Sequence, residues 1–421
     1  MELPLSEIIT LQKGKKPKVL SSTQLEGFVP YVDIKAFEQN IVGSYTDDDG
    51  CVFCEDGDIL IVCDGSRSGL VGRAIKGAIG STLAKISASP LIDKKILFYF
   101  MQGRYTELNT NMKGTGTPHV NPTLLGSFVF PIIPSTEQHR IVAKIDALFS
   151  KLDKGIETLQ FVRQQLRTYR QAVLKWAFEG KLTGNITEKW IRTTLGGICK
   201  ISSGGTPSRN NPKYYSGAIP WIKTGEINWN TIKNSEEYIT SEAIENSSAK
   251  CFPVGTILVA MYGQGLTRGR AAILGIKAAT NQAVCALIPL NYVNNMFLYY
   301  YFQCNYWNLR EKAIGGNQLN LNAGIISNLE ILLPSKPEQL AIVASIESRL
   351  SVCDKLETIV DEILAKSETL RQSILKKAFE GRLVPQDTTD EPADKLLERI
   401  RAERQKEKEK SKPARRKKNA R

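Results

Sequence analysis

The chain carries one long segment twice, at Pro134–Leu182 and again at Pro334–Leu383, and this repetition limits its possible folds more than any other feature. The first copy reads PSTEQHRIVAKIDALFSKLDK and closes on Leu174-Lys-Trp-Ala-Phe-Glu-Gly-Lys-Leu182. The second reads PSKPEQLAIVASIESRLSVCDK and closes on Leu375-Lys-Lys-Ala-Phe-Glu-Gly-Arg-Leu383. Glu-Gln, Ile-Val-Ala, Asp-Lys and Ala-Phe-Glu-Gly recur in the same order, which marks a duplicated structural unit and predicts a molecule in two halves.

Each copy reads as a rod. In the first, Ile141, Ile145, Leu148, Leu152, Ile156, Leu159, Val162, Leu166, Tyr169, Val173 and Trp176 recur about every 3.5 residues, the period of a coiled-coil seam. Ser135 with Gln138 predicts a capping box, Gly180 a stop, and Gly155 a weak point inside the helix. In the second, Ser335 with Glu338 predicts a capping box and Pro337 is tolerated in the first turn. Its seam is Ile342, Ile346, Leu350, Cys353, Leu356, Val360, Ile363, Leu370 and Ile374, interrupted at Ser367 and ended by Gly381. At about 1.5 Å per residue, some 45 residues make a rod of roughly 65 to 70 Å.

Two blocks precede the rods. From Met1 to Ile133, Tyr31–Ile34, Gly57–Val62, Ala84–Ile86 and Phe128–Phe130 read as strands, with a helix around Lys94–Tyr105. The block from Trp190 to Leu333 matches it in order: Phe28-Val-Pro-Tyr31 with Ala218-Ile-Pro-Trp221, Gly57-Asp-Ile-Leu60 with Gly255-Thr-Ile-Leu258, Gly72-Arg-Ala74 with Gly269-Arg-Ala271, and Gly114 through Asn121 with Gly315 through Asn322. Between these landmarks the residues differ widely, the pattern of one scaffold presenting two surfaces.

The expected fold is therefore α+β: two strand-rich domains separated by a pair of long antiparallel helices, a coiled coil with a pseudo-twofold internal repeat. A block of this size is too compact for its ends to span a rod, so the second helix should return alongside the first. Helices packed independently on their own domains are the alternative. The expected segments are 1–133, 134–186, 187–333 and 334–385, followed by 386–421, a charged, basic, disordered tail with a frayed helix over Asp394–Lys412.

Composition narrows the function. A formal charge of +13 points to a polyanionic partner. From Gln386 to Arg421 thirteen Lys or Arg face eight Asp or Glu, a net +5, which leaves +8 on the rest. Nucleic acid leads; a surface charged only for solubility is the alternative. No apolar run reaches membrane-spanning length and the N-terminus lacks a signal-peptide pattern, so a cytoplasmic location is expected. Eight scattered cysteines suit reduced thiols, and Cys51 with Cys54 has no second pair at zinc spacing. No G-x-x-x-x-G-K-[ST] loop occurs, the only histidines are His119 and His139, and neither H-E-x-x-H nor a Cys/His cluster can be built, so neither a catalytic nor a metal site is expected. Asn211-Pro-Lys-Tyr214 is a partial match to the N-P-P-Y motif of amino-methyltransferases, but no glycine-rich cofactor loop accompanies it; a turn followed by packing or DNA-contacting tyrosines is the better reading.

With Glu137-Gln138 and Glu338-Gln339 opening the rods, Ala-Phe-Glu-Gly-Lys/Arg-Leu closing them, and Thr194-Leu-Gly196 and Gly204-Gly-Thr-Pro207 opening the second block, the chain resembles the specificity subunit of type I restriction-modification systems over nearly its whole length. It departs in a very short lead before the first block. The resemblance implies two target recognition domains and conserved helical spacers that bind methyltransferase subunits. The partners would be double-stranded DNA, two methyltransferase subunits and a restriction-translocase subunit where one exists. No cofactor would belong to this chain: S-adenosylmethionine would sit in the methyltransferase, and ATP and Mg in a restriction partner.

DNA contacts are expected from polar and basic side chains in glycine-rich loops, where backbone can approach phosphates and long side chains can reach base edges. The candidates are Arg67, Arg73, Lys113, Thr115, Thr117 and His119 in the first block. In the second they are Arg209, Lys213, Tyr214, Lys223, Thr224, Arg268, Arg270, Asn317 and Gln318. Solvated loop charges and turn-stabilising side chains are the plain alternative for each. At the level of the whole chain, the rivals are a coiled-coil scaffold unconnected with DNA and a self-sufficient methyltransferase with a diverged active site.

Overall fold

The structure, a computed structural model, describes residues 1–114, 116–184, 189–263, 265–313 and 320–410. It forms two compact units, one of Met1–Thr158 with Ile363–Arg421 and the other of Leu159–Glu362. Each unit therefore joins one strand-rich block to parts of both long helices, rather than following the linear segments.

In the first unit an antiparallel sheet runs in the order Ile9–Lys13, Leu83–Ala88, Ile59–Val62, Val71–Arg73. A second runs Tyr45–Thr46, Val29–Val32, Gly77–Ile79, Phe53–Cys54, with Val29–Val32 and Gly77–Ile79 parallel. The second unit repeats both sheets, as Cys199–Ser203, Val284–Pro289, Ile257–Ala260, Ala271–Leu274 and as Tyr238–Ile239, Ile219–Ile222, Ala278–Thr280, Cys251–Phe252. It adds one strand, Thr231–Ile232, parallel to Ala271–Leu274. The strand reading at Tyr31–Ile34 is one element too long. Asp33 accepts the Ala36 amide at 2.8 Å and starts a helix, Ile34–Gln39. The helix around Lys94–Tyr105 divides into Lys94–Gly103 and Tyr105–Thr110.

The match of Gly72-Arg-Ala74 with Gly269-Arg-Ala271 is displaced by the structure. Gly57 donates to Ala74 O and Gly255 to Leu274 O, while Gly69 donates to Val62 O and Gly269 to Ala260 O. Gly69 thus corresponds to Gly269, and Arg73 to Ile273. The same Gly-Arg-Ala string falls at different places on two equivalent hairpins.

The long helices span Ser135–Phe178 and Lys336–Phe379 and form an antiparallel pair. Their stops are as expected: Gly180 and Gly381 have φ of 73° and 68°, and Lys181 and Arg382 amides bond back to Trp176 O and Lys377 O, the Schellman arrangement. Their starts are not capping boxes. Gln138 Oε1 accepts the Asp93 amide at 2.8 Å while its Nε2 donates to Ile133 O at 2.7 Å. Gln339 repeats this on the Asn294 amide at 2.7 Å and Pro334 O at 2.9 Å. Each glutamine ties its rod to the cap of a neighbouring helix, Lys94–Gly103 or Asn295–Cys304. Glu338 accepts from Trp190 Nε1 at 2.9 Å instead of capping its own helix.

The seam also shifts. In the first unit Arg371 pairs with Asp153 and lies 4.9 Å from the Phe149 ring centre. In the second, Arg170 pairs with Asp354 and with Glu357 at 3.0 Å, and Arg163 with Asp361 at 3.6 Å. The Asp153–Arg371 pair recurs as Asp354–Arg170 with the two helices exchanged. Val162, Trp176, Leu356, Ile363 and Leu370, expected in the seam, are instead exposed. Ser367 is buried, and its hydroxyl donates to Ile363 O at 2.9 Å, so the seam does not break there.

The helix expected over Asp394–Lys412 is present as Ala393–Lys410, and it is anchored where a disordered tail was expected. Leu396 and Ile400 enter the core of the first unit, and Asp390 binds Arg140 beside it. Residues 411–421 lie outside the described residues. Among those described, no helix is long and apolar enough to cross a membrane, and no His, Cys, Asp or Glu group is placed to hold a metal. Cys54 donates to Ile75 O and Gly77 O, and burial pushes its thiol up to about 11.

Candidate nucleic-acid interface

In the first unit two loops form one surface. Gly65 donates to Pro118 O and Val120 to Cys63 O, both at 2.8 Å, and the buried Ser68 hydroxyl donates to Gly65 O at 2.8 Å. At its centre Asp64 lies 2.9 Å from Lys13 Nζ and 2.7 Å from His119 Nδ1. Burial would raise the Asp64 pKa, but Lys13 and His119 hold it below the usual carboxylate range.

Lys113 pairs with His119 through the backbone, and Lys113, Thr117 and His119 are exposed. Arg67, on the adjoining loop, is held by Glu38. Thr115 lies outside the described residues. Arg73 is not part of this surface: its guanidinium sits 5.3 Å from the Phe98 ring centre, in a cleft of about 590 Å³ that also takes in Asp146 and Arg371.

The basic residues missed in sequence are Lys13, Lys15, Lys16 and Lys18, all exposed; Lys13 ends its strand against Asp64, and the turn that follows reaches Asp48, which accepts the Lys18 amide at 2.8 Å. The run Lys13-Gly-Lys-Lys-Pro-Lys18 was the available signal. Gly14 packs so closely that an added Cβ would lie 2.3 Å from the carbonyl oxygens of Ile79 and Gly80. Gly204 makes the same approach to Thr280 O at 2.2 Å in the second unit.

There the candidates fall into two groups. Arg209 lies over Tyr215 and Trp221, at 4.0 and 5.2 Å from their ring centres, and pairs with Glu237 at 2.7 Å. Lys223 pairs with Glu236 and Glu237 at 3.1 and 3.0 Å, and the Glu237 pKa falls as Lys223, against partial burial, and then Arg209 favour its charged form. These two cations brace the sheet as much as they face solvent. Lys213 is exposed, Thr224 begins a tight turn, and Tyr214 packs, partly buried, against the small core that includes Trp221 and Ile239. Asn211 accepts the Lys213 amide at 3.3 Å, so it works as a turn cap.

The other group lies on the loop after Ile257–Ala260. Arg270 Nη1 donates to Asn228 Oδ1 at 2.7 Å, and the Arg268 carbonyl is taken by Arg310. Asn317 and Gln318 lie outside the described residues. Neither sequence pattern nor charge singled out Asp64, Asn109 or Arg310, whose roles depend on loops brought together by the fold.

The family described as the type I restriction modification DNA specificity domain matches residues 1–159 and 187–364, the two repeated halves. The chain belongs to the type I restriction-modification specificity family. Its relatives include the type I restriction enzyme MjaVIII specificity subunit of Methanocaldococcus jannaschii, 24% identical over 90% of this chain and 92% of the relative. Another is the EcoBI specificity subunit of Escherichia coli, 25% identical over 82% and 80%. The fold of this specificity subunit is similar to that of a chain from a type I R-M system solved for its complex assembly and conformational transition, with a TM-score of 0.72 at 20% identity over 91% of this chain and 98% of that one. It is also similar to the HsdS subunit from Thermoanaerobacter tengcongensis, with a TM-score of 0.59 at 19% identity over 91% and 97%.

Proposed function

We propose that this specificity subunit is the non-catalytic DNA reader of its complex, each strand-rich block reading one half of a bipartite, asymmetric site. In this reading the paired helices set the gap between the halves and dock two methyltransferase subunits. Methyl transfer from S-adenosylmethionine belongs to those partners, and ATP with Mg to a restriction partner where one exists. The observation that carries the reading is a duplicated scaffold, matched bond for bond at its hairpins, whose loops differ in content and present basic side chains in the first half. A duplicated fold with different loops is what two unlike half-sites require.

The test is duplex binding by the assembled complex as salt is varied. Each phosphate contact contributes a slope of about −0.9 in log K against log salt. Neutralising Lys15 and Lys16 together, as Lys→Gln, is expected to reduce the slope by roughly 2 while the unaltered half-site preference persists. Affinity insensitive to salt would contradict the DNA reading.

A further inference from the structure

The two hairpins are closed by different loops, Cys63-Asp-Gly-Ser-Arg-Ser-Gly69 and the longer Met261-Tyr-Gly-Gln-Gly-Leu-Thr-Arg-Gly269, of which Gln264 lies outside the described residues. Their roots are the same. Gly69 and Gly269 have φ of 94° and 85° and donate to Val62 O and Ala260 O, both at 2.8 Å. A Cβ on Gly69 would lie 2.7 Å from Leu108 Cβ, so the root is pressed against the short helix Tyr105–Thr110. Its counterpart in the second unit is Tyr306–Glu311.

From the fifth residue of each short helix one side chain grips the loop backbone at two carbonyls. Asn109 Nδ2 donates to Ser66 O at 2.9 Å and Ser68 O at 3.0 Å. Arg310 Nη1 donates to Arg268 O at 2.7 Å and Nη2 to Gly265 O at 2.8 Å. Tyr306 adds its hydroxyl to Leu266 O, with Arg310 5.4 Å from its ring centre. The residue type changes between the halves while the position and the two-carbonyl grip are kept. The longer loop receives the longer, forked side chain and a third bond.

We propose that Asn109 and Arg310 are positioning residues for specificity, each fixing the loop through which its block discriminates bases in one half-site. This rests on the DNA-reading function above. Base discrimination depends on side chains presented at hydrogen-bonding distance and angle, and a loop held at two backbone carbonyls presents them from a fixed frame. A guanidinium fork can hold two carbonyls at once, whereas an ammonium on a flexible stem acts as a single point.

The test uses the full chain co-expressed with its methyltransferase partner, carrying Arg310→Ala, Arg310→Lys, Tyr306→Phe or Asn109→Ala. The methylated motif is read by sequencing modified bases, and the thermal midpoint of each variant is recorded beside it. Arg310→Ala is expected to raise methylation of sites mismatched in the second block's half by about tenfold relative to the cognate site, leaving the gap and the other half unchanged. Tyr306→Phe, which removes only a hydroxyl, relaxes the same half by less. Arg310→Lys stays relaxed, because charge without the fork does not hold both carbonyls; full restoration by Lys would show a phosphate contact and overturn the assignment. Asn109→Ala relaxes the opposite half. A lowered thermal midpoint with the motif intact, or both halves relaxing together in any variant, would also overturn it. Failure of the DNA-reading function itself would look different: the unaltered chain would direct no bipartite motif.

Discussion

Asp58 sits at the foot of the first hairpin, 7% exposed, with Lys85 Nζ against one oxygen, Lys94 Nζ at 2.8 Å from the other and the Glu55 amide at 3.0 Å. Burial alone would raise its pKa, but the two lysines and the amide bring it down to about 2, from an ordinary value of 3.8. A carboxylate with a lowered folded-state pKa adds stability that is complete above the unfolded value and lost as pH falls through the folded one. Here that window is roughly pH 4 down to 2, and the contribution is about 2 kcal/mol. Asp58→Asn is expected to remove that amount at pH 7 and to flatten the acid limb between pH 4 and 2, as measured by calorimetric unfolding of the full chain. The equivalent Thr256 donates its hydroxyl to Pro253 O, so no such dependence is expected from that position in the second block. At this scale the sequence was a partial guide. Arg73 and Arg270 stand in the same three-letter string, yet one stacks on Phe98 and the other bonds Asn228, because the strings fall three places apart on equivalent hairpins. The lysines from Lys13 to Lys18 were plain in the sequence; that Lys13 meets Asp64 beside His119 was not, since strand pairing and two loops bring those groups together.

The rods show the same limit one level up. Period, stops and antiparallel pairing were all readable, but following the apolar residue at each step led to Val162, Trp176, Leu356, Ile363 and Leu370, which face outward. The inward steps are taken in part by Arg170, Glu357 and Arg371, and hydrophobicity cannot report a charge whose partner lies on another helix. The displaced Leu356 joins Val352 and Ile359 in a stripe on the second rod, the three in chain order exposed by 54, 41 and 50% at four-then-three spacing. A second heptad seam of this kind suits a partner helix. Leu356→Glu with Ile359→Glu is expected to abolish co-purification of the methyltransferase subunit while helix content, followed by circular dichroism, stays the same; retained co-purification would place docking elsewhere. Gly155 is exposed within the first rod, and a Cβ there would meet nothing within 4 Å. Gly155→Ala is therefore expected to stabilise the rod by about 1 kcal/mol, read as a raised urea midpoint with unchanged slope.

Across the whole molecule, duplication accounts for most of what was legible. It identified two blocks and two rods, because the same order of Glu-Gln, Asp-Lys and Ala-Phe-Glu-Gly appears twice. The antiparallel return also brings the C-terminus back toward the first block, but it could not show where along the rods the two units divide, nor that Leu396 and Ile400 anchor the helix Ala393–Lys410 in the first unit's core. That helix is highly charged, and its anchorage rests on Leu396 and Ile400 finding a core built by residues far away in sequence. The central claim is that each repeated block reads its own half of one site. Replacing residues 190–333 with the corresponding block of another specificity subunit, and sequencing the methylated motif in the host, tests it most directly. The account predicts that one half-site changes to the donor's while the other half and the gap remain. A motif in which both halves change, or neither does, would contradict it.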